Sequence, residues 1–83
     1  MGETKKQKIM NELPLIGDNL KHHRKQKGIT QKRAAEITGI SQHYWNWVEN
    51  NIKIPSVHVL HKMCNTIGVS MAEIFEKTKH PEQ

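Results

Sequence analysis

Three glycines set the length of everything this chain can build. Gly28, Gly39 and Gly68 each stand where a helical pattern breaks, and Thr30, Ser41 and Ser70 follow as side chains able to cap the next helix. Glycine enters the left-handed conformation that ends a helix at little steric cost, and a Ser or Thr oxygen accepts from the orphan N–H groups at a helix start. The spacing predicts a first helix over residues 15–26, with Ile16 and Leu20 one turn apart on one face. A second covers 31–38, with Ala34, Ala35 and Ile37 as contacts. A third covers 42–49, with Trp45 and Val48 facing inward, and Asn50-Asn51 closes it. Pro55-Ser56 opens a fourth that carries Val57, Leu60, Cys64 and Ile67. Ser70 opens a fifth, in which Met71, Ile74 and Phe75 are expected to pack. No segment sustains the period-two alternation of a strand. The expectation is all-α, five short helices joined by tight turns.

At 83 residues the chain is expected to form one small domain. Residues 1–13 read as a flexible lysine-rich tail, 14–77 as the folded domain and 78–83 as a second tail. A single cysteine cannot form an internal disulfide, and no apolar run approaches the roughly 20 residues of a membrane span. Neither a secretory signal nor a phosphate-cradling glycine loop is found, and the carboxylates Glu36, Glu49, Glu73 and Glu76 are scattered over different helices. These features point to a cytoplasmic protein that is not an enzyme and needs no cofactor, small-molecule ligand or membrane.

Charge is distributed unevenly. Thirteen Lys and Arg oppose eight Asp and Glu, a net charge of +5. Six of the basic residues (Lys21, Arg24, Lys25, Lys27, Lys32 and Arg33) fall between positions 21 and 33, where no acidic residue occurs. Concentrated positive charge on a small domain suggests a polyanion, most often nucleic acid.

The pattern Thr30-Gln31-x-x-Ala34-Ala35-x-x-x-Gly39-Ile40-Ser41-x-x-x-Trp45-x-x-Val48-Glu49 gives that partner a geometry. Small alanines let the second helix approach the third, Gly39 makes the sharp turn and Ile40 plugs it. Ser41 caps the third helix, so Gln42 and His43 project from its first turn. In a helix-turn-helix, such residues reach base edges in the major groove. Together with Ile16-Gly17-x-x-Leu20-Lys21, Arg24, Gly28-x-Thr30-Gln31, Pro55-Ser56, Leu60, Ile67-Gly68-Val69-Ser70 and Glu73-Ile74-Phe75, the chain resembles the Cro/CI, or XRE, family of phage-type repressors. The likeness covers about residues 15–77 and implies a lambda-repressor-like five-helix domain that binds double-stranded DNA, with the helix-turn-helix at about 31–50.

The resemblance also implies roles. Gln42, His43 and Trp47 match base-facing positions. Gln31, with Lys32 beside it, matches a phosphate contact, as do Asn50 and Lys53 after the third helix. Tyr44 and Asn46 match positions that touch the backbone or adjacent bases, and Arg24 and Glu49 match a structural ion pair. Four positions depart from the family pattern. Ala34 replaces a larger aliphatic residue, while Trp45 replaces an aliphatic across the same interface, an exchange that can conserve core volume. Asn51 stands where a loop glycine is usual, which requires it to be left-handed. Trp47 occupies a usually polar position.

For Trp47 two readings stand. It contacts DNA, through a thymine methyl or a sugar, or it packs against the fourth helix or residues 52–54. Trp45 and Trp47 lie about 200° apart around a helix, so both cannot be core, and Trp45 is assigned inward. His58 and His61 share a helix face, but no further ligands complete a metal set. His22-His23 extends the basic segment. Cys64 on its apolar stripe reads as a buried, inert thiol. The function expected is sequence-specific regulation of transcription by a homodimer on a near-palindromic operator, by repression in its simplest form. The alternative is a protein-interaction module of the same fold, an antitoxin or a regulator's partner. A third reading, membrane-surface binding through residues 1–13, lacks bulky apolar residues to insert.

Overall fold

The computed structural model describes residues 16–76, and the two expected tails lie outside the described residues. Five helices run in order: α1 Ile16–Gln26, α2 Gln31–Thr38, α3 Gln42–Glu49, α4 Val57–Ile67 and α5 Met71–Ile74. No strand occurs among the described residues. Thr30, Ser41, Ser56 and Ser70 cap α2 to α5, each accepting from the backbone N–H three residues on. Glu73 completes a capping box at α5 by reaching back to the Ser70 N–H. Gly39 and Gly68 close α2 and α4 in the left-handed conformation, at φ 78° and 70°.

Helix α3 packs on α1 and α2, α4 on α1 and α2, and α5 on α1 and α4. The core formed between them is Leu20, Ala34, Trp45, Val48, Leu60, Met63, Cys64, Ile67 and Ile74. Trp45 and Ala34 are both fully buried. The large residue of one helix thus stands opposite the small residues of the other. Burying Trp45 requires a partner for its indole N–H, and the Thr38 hydroxyl accepts it at 3.2 Å. The same hydroxyl donates to Ala34 O at 2.7 Å and accepts from Ile40 N at 3.1 Å, so the turn and the core share one polar hinge pin.

Three apolar residues expected to pack are exposed instead. Ile37 lies roughly 100° around α2 from the centre of the inward face formed by Ala34, Ala35 and Thr38. Val57 is the first residue of α4 and overhangs the core, whose stripe runs through Leu60, Met63, Cys64 and Ile67. Phe75 follows α5 and leaves Ile74 and Met71 to make the contacts.

Candidate nucleic-acid interface

The site is built on the outer half of α3. At 100° per residue, Gln42, Asn46, Asn50, His43 and Trp47 fall on one arc of about 140°, and Trp45, Val48 and Glu49 fall outside it. The structure follows that division. Gln42, His43, Asn46 and Asn50 are exposed, Trp47 is half-buried at the flank, and Trp45, Val48 and Glu49 are buried. Tyr44 stands on the inner side of this division, partly buried against the core. Gln31, at the start of α2, joins Gln42, His43 and Asn46 around an open concavity of about 390 Å³. Lys32 and Lys53 are exposed on either side of this face in sequence, on α2 and in the loop after α3.

The inner half of α3 is tied down by a buried ionic bridge. Arg24 Nε and Nη2 donate to the two carboxylate oxygens of Glu49 at 2.6 and 2.9 Å. The remaining guanidinium branch donates from Nη1 to Ile29 O at 2.7 Å. Gln31 Nε2 donates to Glu49 Oε1 at 2.9 Å. A fork-to-fork pair of this kind is strong and directional. Every described buried side-chain nitrogen and oxygen has a partner. Gln31 therefore belongs to a chain of contacts joining α1, α2 and α3, which its reading as a phosphate contact alone did not include. The exposed face is anchored from within.

A second tie holds the far end of α3. Asn51 adopts φ 60°, the left-handed conformation that its place in a glycine position requires. Its Oδ1 accepts from Gly17 N at 3.0 Å, and its Nδ2 donates to Asp18 Oδ1 at 3.2 Å. Asn thus supplies both the turn and two bonds to α1. Gly17 has no room for a side chain: an added Cβ would lie 2.3 Å from Val48 O. Residue-level reasoning missed this contact. The available signal was a glycine in the first turn of a helix, where it costs stability unless something approaches closely.

Not all of the basic segment is available at the surface. Arg24 is consumed by Glu49, and Arg33 pairs with Glu36 at 3.2 Å on an exposed face. Lys25, Lys27 and Lys32 remain exposed. Around Trp47, the imidazole of His43 meets the indole edge-on, with centroids 4.2 Å apart, and Lys53 Nζ stands 5.9 Å from the ring centroid. Ile52 and Ile54, the loop residues offered as packing partners, are exposed. Elsewhere, burial and then the charge of Glu73 push the Cys64 thiol up to about 11, so it is a poor nucleophile. No group of three or more metal-ligating side chains occurs among the described residues.

Comparison with known proteins places this geometry in a family. A family model described as a helix-turn-helix domain matches residues 15–75. The chain belongs to that family. Its curated relatives are helix-turn-helix regulators of the XRE kind. One is the HTH-type transcriptional regulator PuuR of Escherichia coli, 30% identical over 67 residues that make up 81% of this chain and 36% of PuuR. Another is YqaF of Bacillus subtilis, named as an HTH-type transcriptional regulator and 35% identical over 65 residues, 74% of this chain and 86% of YqaF. The crystal structure of the clp gene regulator ClgR from C. glutamicum superposes with a TM-score of 0.72 at 29% identity, covering 75% of this chain and 80% of that one. The chain spans about a third of the length of PuuR. The Cro/CI-type family and the all-helical fold expected from the residues are thereby shown.

Proposed function

We propose that this helix-turn-helix protein is a sequence-specific regulator of transcription, acting in the cytoplasm on double-stranded DNA. The observation that carries the reading is the division of α3. One side is locked to α1 and α2, while the other presents Gln42, His43 and Asn46 to solvent beside the α2 N-terminus. This rigid convex element has the width the major groove accepts. In this reading Gln42 and His43 face the base edges, and Trp47 stands on the same surface beside His43. Gln31, Lys32, Asn46, Asn50 and Lys53 approach phosphates, with Tyr44 at their flank. Glutamine pairs bidentately with adenine, and helix N-termini attract phosphate. The protein binds as a homodimer to a near-palindrome, two half-sites about one helical turn apart, and represses by occupying a promoter.

Selection of binding sites from a random duplex pool tests this. Enrichment of a near-palindrome with half-sites about 10 base pairs apart is the expected outcome. A single half-site would remove the dimer and keep the DNA reader. Absence of any enrichment would remove the reading altogether. In that case the exposed Ile52, Ile54 and Val57 favour a protein-binding module of the same fold.

A further inference from the structure

The least usual residue of the DNA-facing arc is Trp47, and its surroundings assign it a task different from touching a base. We propose that Trp47 is a positioning residue: its ring holds His43 and Lys53, a base-facing and a phosphate-facing group from different elements, in one fixed relation. The proposal rests on the DNA-binding reading above and deepens it.

Three observations support it. His43 and Trp47 are four residues apart on α3, the spacing at which helical side chains meet. Their rings do meet, edge-on, with centroids 4.2 Å apart and planes 60° apart. From the loop, Lys53 brings its ammonium to 5.9 Å from the indole centroid, within reach of a cation–π contact. The loop is also bound to the same residue through the backbone, since Ile52 N and Lys53 N both donate to Trp47 O, at 2.9 and 3.3 Å. Trp47 is half-buried, whereas His43 and Lys53 are exposed. A flexible lysine and an exposed imidazole would otherwise sample many rotamers. An indole against which both stand lowers that freedom before DNA arrives, which is how preorganisation adds to affinity.

This arrangement makes a distinct prediction. Trp47→Leu should relax base preference at the same base pair that His43→Ala relaxes, and by a similar factor, about tenfold. Combining the two should cost much less than the product of the single effects, because both remove one arrangement. The same shortfall should appear when Trp47→Leu is combined with Lys53→Ala. Trp47→Phe, which keeps an aromatic face, should restore most of the preference. Loss of discrimination at a base pair of its own, or multiplicative double variants, would show that Trp47 reads DNA directly and would overturn the proposal.

A measurement on the free protein separates this idea from the DNA-binding reading. An indole ring shifts the resonances of protons held against it. At one fixed pH, the His43 ring protons and the Lys53 ε-methylene protons of the free protein should therefore differ in chemical shift from the same protons in Trp47→Leu. Unchanged shifts in that variant overturn the stack. A wild-type protein that selects no DNA sequence overturns the reading on which the proposal stands.

Discussion

At the residue scale, Glu49 does the most with the fewest atoms. Its two oxygens accept three donors, two from Arg24 and one from Gln31, in a buried setting. Glu49→Ala would leave a guanidinium in the interior without its counter-charge, so unfolding in urea should show a loss of about 3–5 kcal/mol. That is a large share of the roughly 5–15 kcal/mol that holds a small domain folded. Stability within error of wild type would mean the pair is dispensable. The pairing of Arg24 with Glu49 is a property that family likeness suggested. The addition of Gln31 is one that only coordinates could show, because residues on three helices must converge. Cys64 offers a test of a different kind. Desolvation, and secondarily Glu73, raises its thiol from 9.0 to about 11 in the folded state. Between those values an unfolded chain loses its proton while the folded one keeps it. Folding is therefore favoured fully below pH 9.0 and progressively less as pH rises toward about 11. The melting temperature of wild type should drop faster over that interval than that of Cys64→Ala.

At the scale of the element, the helices were legible because their ends are written in the chain. Thr30, Ser41, Ser56 and Ser70 each cap a helix, and Gly39 and Gly68 each close one. A local signal of this sort needs no knowledge of the rest of the fold. Ser41 is the informative position for a test, since its hydroxyl accepts from Tyr44 N at the start of α3. Ser41→Ala should cost about 1 kcal/mol in denaturant unfolding. What could not be read locally was the rotation of each helix about its own axis. Ile37 and Val57 are apolar and at plausible spacing, yet both are exposed. The inward face of α2 is set by how closely Ala34 lets Trp45 approach, and the inward face of α4 by the whole core it meets. The joint between α1 and α3 was hidden for a related reason. Gly17 and Asn51 are 34 positions apart in sequence, and each is unremarkable until the other is beside it.

At the scale of the whole molecule, charge was informative about sign and less so about place. Two of the six basic residues in the segment 21–33 are committed to internal or surface ion pairs, so the count overstates what a polyanion would meet. The proposed DNA face is instead assembled from α2, α3 and the loop after it, through residues that are mostly uncharged. Such a face should divide its labour between sequence and salt. His43→Ala should alter which sequences are bound. Lys53→Ala should weaken binding to all of them and reduce the slope of log K against log salt by about one. Binding titrations on selected and scrambled duplexes at several salt concentrations check this, and equal changes on every duplex from both variants would contradict it.

The opposed faces of α3 have a consequence for how such a protein diverges. Along one short helix, the side chains that hold the fold are buried and those at 42, 43 and 46 are exposed. Under the proposed reading, substitutions at 42, 43 and 46 should therefore cost little in folding, and descendants of one scaffold should be able to address unrelated sequences. Position 47 is where that freedom narrows, because a change there disturbs both a helix side chain and the loop that follows it. Lineages that carry an indole at this point would be expected to vary at positions 43 and 53 in concert rather than one at a time.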